Sequence, residues 1–253
     1  MLYEKRNQNM AKKLADLLQQ TAHRPWKMPS SPWHYYQEWN EALFLHFAVP
    51  AAEIEQQLPK GIELDVFEGQ AYLSVVCFRM QNIRPRYLPA WDWLSDFYEI
   101  NVRTYVKKDG KAGVYFLSIE AEKTAAAWLA RTLSGLPYQK TKLRKKANTY
   151  RNTAHQTSLN VSFEPKEELQ QPSPLELWLT ERYCLYLDKK KKLHRYEIHH
   201  IPWPLQAVEI NHMELDYSSI HPVLTTQNLH HAHYARGVKV IAWNSVPLSE
   251  ITS

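Results

Sequence analysis

The sequence predicts a mainly antiparallel β fold of the α+β class, with a curled or closed sheet and a few short helices. Segments with alternating apolar and polar residues outnumber segments with helical spacing, and short hairpin-type turns join most of them. A doubly wound parallel sheet would need a crossover between successive strands, usually a helix, and most of these strands have none. We therefore expect a sheet that closes on itself rather than an open α/β sheet.

Composition narrows the class further. The 253 residues suit one large β-rich domain, and the shares of hydrophobic (44%) and charged (23%) residues are those of a globular protein. Six glycines against fifteen prolines disfavour glycine-rich phosphate loops, and two cysteines exclude a disulfide framework. We find neither a signal peptide nor a membrane-length apolar segment, so we expect a cytoplasmic protein with no membrane partner.

Residues 1–24 are predicted to form an amphipathic helical extension, and residues 25–253 a single β-rich domain. Helical spacing of the apolar residues predicts the helix, and prolines at positions 25, 29 and 32 predict an extended connector after it. We favour a helix that docks on its own domain or on a second subunit, which leaves a homo-oligomer open. A membrane-surface or partner helix is the alternative.

The first part of the domain is predicted to consist of strands and one short helix. Residues 42–49 predict a strand, and Pro50 begins a short helix. Alternation in residues 62–66 and 71–77, on either side of Glu68-Gly69, predicts a first hairpin.

A second hairpin is predicted over residues 97–106 and 114–119, joined by a turn at Asp109-Gly110. An apolar stripe in residues 121–133, followed by Gly135 and Pro137, predicts a helix with a sharp end.

The second half continues the same pattern. Ser173-Pro174 predicts a capped helix start, with Ser as the cap and Pro at the first helical position. The remaining segments are predicted strands: a basic one at 138–146, one at 158–163, a hairpin of 183–187 with 193–198, and two or three between 203 and 246.

The most informative strand is the one at 97–106. Its period-2 geometry places Glu99, Asn101, Arg103 and Tyr105 on one face. In an open sheet this face is simply the wet side. In a closed sheet the same face lines the interior, where Glu99 and Arg103 would hold each other charged and orient a polar ligand.

Seven motifs stand out along the chain. They are Leu43-Phe44-Leu45-His46-Phe47 with Val49-Pro50, Leu58-Pro59-Lys60-Gly61, the 71–78 strand, Asn101-Val102-Arg103, Gly135-Leu136-Pro137-Tyr138, Leu179-Thr180-Glu181-Arg182-Tyr183 and His200-Ile201-Pro202-Trp203. Together they resemble the YqjF-like bacterial proteins, a family of unknown function, over residues 25 to 246. That family is similar in fold, more distantly, to acetoacetate decarboxylase, whose core is an antiparallel β-barrel around a pocket.

The decarboxylase resemblance lacks its reactive lysine. Those enzymes carry an arginine, a glycine and a proline followed by two lysines, the first of which forms a Schiff base. Here Arg131, Gly135 and Pro137 match, but Tyr138 and Gln139 stand where the lysines would be. Tyrosine cannot form a Schiff base. Lys140, two residues on, is expected to be solvated like the other basic residues of its strand.

We therefore expect a protein that binds a small anionic or carbonyl-bearing molecule in a β-barrel pocket without Schiff-base catalysis and without a cofactor. Asn101, Tyr105, Arg131 and Gln139 are the predicted ligand-binding residues.

Two alternatives stay open. One is a decarboxylase- or lyase-type enzyme in which Glu99 is the acid or base, Arg103 holds a carboxylate and Tyr138 donates to a carbonyl. The other is a nucleic-acid or protein-interaction module that uses the basic runs at 140–146 and 189–192. We disfavour nucleic acid, because neither run has interleaved aromatic residues.

The C-terminal histidines, among them His231 and His233, show no recognised metal spacing, so we predict no metal site.

Overall fold

The computed structural model describes residues 14–88, 96–121, 138–154, 156–189 and 192–248. The predicted helix at 121–133 lies outside these ranges except for Ala121, which ends a strand.

The described residues form fourteen strands and a few short helices. The helices are α1 (residues 14–19), α2 (Ala51–Glu55), α3 (Pro174–Thr180) and a 3-10 helix (Thr226–Asn228). The strands are β1 (Tyr35–Val49), β2 (Glu63–Leu64), β3 (Ala71–Pro85), β4 (Phe97–Lys108), β5 (Lys111–Ala121), β6 (Tyr138–Lys140), β7 (Lys142–Lys146), β8 (Thr149–Thr153), β9 (Ser158–Glu168), β10 (Cys184–Lys189), β11 (Lys192–His199), β12 (Leu205–Asp216), β13 (His231–Ala242) and β14 (Val246–Pro247).

Seven of the strands form a ring. Their pairing order is β11-β10-β5-β4-β3-β1-β13, and β13 pairs back to β11 through Ile198 with Ala242 and His199 with Ile241. Strands β12, β9, β8 and β7 continue the sheet outward from β13. Among the described pairs only β5 with β6 and β5 with β10 are parallel. The prediction of a mainly antiparallel, curled sheet is confirmed, in a ring-like form rather than a clear barrel.

A bulge lets the long strand β1 curve around the ring. Its register with β3 shifts between Asn40 and Leu43, and Glu41 has a positive φ of 55°. On the other side, Gly237 of β13 lies so close that a Cβ there would meet the Asn40 side chain at 2.2 Å. Bulges bend a strand and increase its twist, and here glycine permits the partner strand to follow.

The predicted hairpin at Asp109-Gly110 is confirmed. Of the earlier one only the tight turn forms, with positive φ at Glu68 and Gly69 and a bridge from Phe67 to Gln70, and the predicted pairing of the two strands is wrong. Asp109 and Gly110 both have positive φ, 53° and 72°, as a tight type I′ turn requires. In contrast, β2 pairs with β4 rather than with β3. The reason is that β3 is already paired on both sides, with β1 and with β4, so it has no free edge for β2.

The described part of the N-terminal extension lies against the domain. Leu17 of α1 is buried in a cluster with Trp33, Tyr36, Ile241 and Trp243, and its carbonyl contacts the His199 ring at 2.8 Å. The division into residues 1–24 and 25–253 stays a prediction. No helix within the described ranges has the length and apolarity that crossing a membrane requires.

Candidate ligand cavity

A cavity of about 80 Å³ lies inside the ring, and every one of the seven ring strands contributes side chains to its wall. The segment after α3 and the segment after β11 complete the lining. By volume this is room for several waters or one small molecule, since one water needs about 10–15 Å³ on this measure.

Most of the wall is apolar and aromatic. Trp39 and Trp203 stack with ring centroids 6.2 Å apart, and Phe44 meets Trp203 edge-on at 5.1 Å. Phe78 and Phe116 line other parts of the wall. The few polar groups of the cavity therefore lie in surroundings of low polarity, where hydrogen bonds and interactions between charges are stronger than in water.

Three polar side chains of β4 project into this apolar cavity, as their shared face predicts. Glu99, Asn101 and Arg103 all line the cavity and are all buried. Burial raises the pKa of the Glu99 carboxyl to about 7, and a 3.3 Å hydrogen bond from the Asn101 amide partly opposes that rise. Glu99 thus changes charge near neutral pH.

The expected pairing of Glu99 with Arg103 is not formed. Among the described residues no ion pair joins these two side chains. The physical reason is spacing, because residues four apart on a strand lie about 13 Å apart along it. The carboxyl and the guanidinium therefore occupy different parts of the cavity wall.

The Arg103 guanidinium is buried without an acidic partner in the described part of the chain. Its terminal nitrogen donates to the Leu179 carbonyl at 3.4 Å, and the group lies 5.7 Å from the Phe44 ring centroid. Its Nε has no hydrogen-bond partner. A buried guanidinium with an unused N–H donor has capacity for one more hydrogen-bond acceptor.

Arg182 is a second buried guanidinium of the cavity, and the sequence reasoning gave it no role. One terminal nitrogen pairs with Asp65 at 2.5 Å, and Nε donates to the Trp178 carbonyl at 2.7 Å. The other terminal nitrogen has no partner. Burial lowers the pKa of Arg182. Its place in the Leu179–Tyr183 motif, directly after a capped helix, was the available signal.

Helix α3 brings Arg182 to the cavity. Its start was predicted and is confirmed: the Ser173 side chain accepts from the Glu176 backbone, and the Glu176 side chain accepts from the Ser173 backbone. Glu176 also accepts from the His233 ring at 3.0 Å, which fastens the helix to β13. The helix end then presents its Leu179 carbonyl to Arg103 and to the Tyr105 hydroxyl.

The other predicted site residues are placed differently. Tyr105 is buried, but it donates to the Leu179 carbonyl at 2.9 Å and contacts Ser74 at 2.6 Å instead of lining the cavity. Gln139 is exposed. Arg131 and the side chains of Tyr138 and Lys140 lie outside what the structure describes.

His200 also lines the cavity. Burial lowers the pKa of this imidazole to about 4, and its nitrogens face the carbonyls of Ile201, at 2.7 Å, and Arg182, at 3.4 Å. His46 is also fully buried, but its Nδ1 contacts the Ser74 hydroxyl at 2.6 Å rather than a backbone carbonyl. Within the described ranges no group of three or more His, Cys, Asp or Glu could hold a metal ion.

The basic strand is mostly solvated. Lys142, Arg144 and Lys146 are exposed, whereas Lys145 pairs with Glu41 at 2.6 Å. These residues lie on β7, outside the ring and apart from the cavity.

Comparison with known proteins agrees with this architecture. Residues 36–239 match the model of the family DUF2071, described as an uncharacterized conserved protein. The uncharacterized protein YqjF of Bacillus subtilis (strain 168) is 32% identical over 225 residues, which cover 85% of this chain and 93% of that protein.

Two solved structures share the fold at low identity. Acetoacetate decarboxylase from Legionella pneumophila is 13% identical with a TM-score of 0.57, over 94% of this chain and 97% of that one. The enduracididine biosynthesis enzyme MppR complexed with pyruvate is 13% identical with a TM-score of 0.58, over 92% and 96% of the two chains. The acetoacetate-decarboxylase-like fold that the sequence motifs imply is thereby shown.

Proposed function

The chain belongs to the DUF2071 family of uncharacterized conserved proteins, and from that premise we propose that it binds a small organic acid in the cavity of its strand ring. The ligand carboxylate would lie against Arg103 and Arg182. The single observation that carries the proposal is that both guanidinium groups are buried in the wall of one cavity, and each has one nitrogen without a hydrogen-bond partner among the described residues.

Charge balance supports an anionic ligand. Asp65 pairs with Arg182, so one positive charge of the two is compensated. Arg103 has no carboxylate within ion-pair distance among the described residues. An uncompensated buried cation is costly, and a carboxylate that accepts two N–H bonds would remove that cost.

The fold neighbours support the same ligand class by analogy. MppR has been solved in complex with pyruvate, a small oxo acid, and its fold covers most of this chain. At 13% identity this likeness concerns the fold alone, so the ligand class rests on the arginines of the present chain.

Schiff-base chemistry is not part of the proposal. Lysine does not occur among the described residues that line the cavity, and Tyr138 stands at the position that the resemblance assigns to the reactive lysine. A covalent adduct with an oxo acid needs a neutral amine, which these residues do not provide.

Calorimetric titration with pyruvate and with acetoacetate tests the proposal. We expect the wild-type protein to bind at least one of these acids, and Arg103→Met to weaken binding by about 10- to 100-fold, as the loss of a charged hydrogen bond predicts. Arg144→Met is the matched control, because Arg144 is exposed and distant from the cavity. Undiminished binding by the Arg103 variant would overturn the proposal.

Proton transfer within the bound acid is a second candidate function. The observation that favours it is the pKa of Glu99, which burial raises to about 7, the range in which a carboxyl works best as a general acid or base at neutral pH. The Glu99 carboxylate would take a proton from the carbon next to the ligand carbonyl, and the electron pair of that C–H bond would form an enolate. The same carbon would then regain a proton.

Deuterium exchange measures this second function directly. In D₂O, NMR should show the pyruvate methyl protons replaced by deuterium faster with the wild-type protein than with Glu99→Gln. If both proteins bind pyruvate and neither accelerates the exchange, the protein is a binding protein rather than an enzyme of this kind.

A further inference from the structure

Resting on the proposed function, we propose that the cavity selects a hydroxy acid over the corresponding oxo acid, and that Asn101 is the residue that makes this choice. Asn101 lines the cavity between Glu99 and Arg103 on β4. Its Oδ1 would accept a hydrogen bond from the ligand hydroxyl while Arg103 holds the ligand carboxylate.

The Asn101 oxygen is an acceptor without a donor. The Asn101 side chain donates its amide to Glu99, and its Oδ1 is buried with no partner. The cross-strand neighbours of Asn101 are Val76 on β3 and Ile119 on β5, which also line the cavity. Aliphatic side chains have no hydrogen to donate, so these two neighbours leave the oxygen unpaired and a ligand in the cavity could supply the donor.

A hydroxyl group satisfies this position and a carbonyl group does not. A hydroxyl donates one hydrogen bond and also accepts, whereas a carbonyl oxygen only accepts. The Trp39 indole N–H, another unpartnered buried donor of the cavity wall, could serve either group. The hydroxy acid can therefore satisfy the Asn101 oxygen, which the oxo acid leaves unpaired. Sites built around a buried acceptor reject ligands that leave it unpaired.

An amino group is the other donor of similar size, and the local charge disfavours it. At neutral pH the amino group of a small amino acid carries a positive charge. Arg103 has no acidic partner in the described part of the chain, and Arg182 already uses Asp65. Burial keeps the Glu99 carboxyl beside Asn101 neutral up to about pH 7, so below that pH the two guanidinium groups repel a third cation and the neutral hydroxyl is the fitting donor.

The spacing suits a short ligand. Asn101 and Arg103 are two residues apart on one strand face, so their Cα atoms lie about 7 Å apart. The cavity of about 80 Å³ sets a similar limit on the size of the molecule. A hydroxy acid of three or four carbons can contact both side chains.

Three acids with the same four-carbon skeleton test the inference: butyrate, acetoacetate and 3-hydroxybutyrate, the last as each enantiomer. For the wild-type protein we expect one enantiomer of 3-hydroxybutyrate to bind at least fivefold more tightly than acetoacetate. Asn101→Leu should bring this ratio close to one while butyrate binding stays within about twofold. Asn148→Leu, at an exposed turn position, is the control.

The outcomes separate the two proposals. If the acids bind but acetoacetate equals or exceeds 3-hydroxybutyrate, the hydroxy-acid inference is overturned and the organic-acid proposal stands. If neither pyruvate nor any of the three acids binds, the organic-acid proposal and the hydroxy-acid inference are both overturned. The wild-type ratio alone decides the matter if Asn101→Leu does not fold.

Discussion

Two buried glutamates of the same sheet, Glu99 and Glu120, differ in how many hydrogen-bond partners surround their carboxyl groups. Burial raises the pKa of both carboxyl groups. Glu99 accepts one side-chain hydrogen bond, from Asn101, and faces the cavity. Glu120 accepts three, from Thr157, from Asn152 at 2.5 Å and from the Tyr217 hydroxyl at 2.7 Å.

The difference separates a carboxyl that links strands to one another from one that lines a cavity with a single hydrogen-bond partner among the described residues. The partners of Glu120 come from β8, from the residue before β9 and from the residue after β12, so this cluster ties the outer strands to β5. Within the described part of the chain, the side-chain hydrogen bond of Glu99 stays inside β4, with Asn101, and its neighbours Asn101 and Arg103 each keep a polar atom without a partner. Burial of a carboxyl is common to both, so unfilled capacity beside a cavity is the better sign of a site.

The largest expected effect is at Glu120. Glu120→Ala should lower the free energy of unfolding by about 3 kcal/mol or more, because three buried donors lose their acceptor at once. Urea denaturation measures it, with Glu164→Ala at an exposed position as control. A loss below about 1 kcal/mol would contradict the structural role assigned to this carboxyl.

A smaller, pH-dependent effect is expected at Glu99. Burial raises the pKa of Glu99 from 4.5 to about 7 in the folded protein, so between these pH values the carboxyl is ionised in the unfolded chain but neutral in the folded one. The free energy of unfolding therefore falls as the pH rises from about 4.5 to about 7. Glu99→Gln, which stays neutral, should match the wild type near pH 4 and exceed it by up to about 3 kcal/mol above pH 7. Urea denaturation at several pH values tests this, and a constant difference across the series would show that Glu99 does not titrate as described.

The smallest effect is expected at the β10–β11 hairpin, far from either carboxyl. Replacing Lys189–Lys192 with serine should change the free energy of unfolding by less than about 0.5 kcal/mol and leave acid binding unchanged. Titration with labelled DNA and RNA at two salt concentrations tests the interaction-module alternative. Tight, salt-sensitive binding that the serine variant loses would favour that alternative over the cavity.

Local sequence patterns predicted the polar face of β4 but not the cavity that this face lines. Period-2 spacing was enough to place Glu99, Asn101 and Arg103 on one face. Whether that face meets solvent or an interior depends on the pairing of β1 with β13, and no local pattern encodes it. For the same reason Arg182 was missed, since its role depends on where α3 docks, and the partners of Glu120 come from distant strands.

Closure of the ring also has a kinetic consequence. The ring includes the pairing of β1 with β13, in which Tyr35 pairs with Ala242, so one of its contacts joins positions more than 200 residues apart. Contacts of such high sequence separation form late and slow the search for the native state. Until β13 docks, β1 exposes an unpaired edge that invites association with other chains. We therefore expect the ring and its cavity to form last during folding. Chaperones that cover unpaired strand edges should have their largest effect on folding before that step.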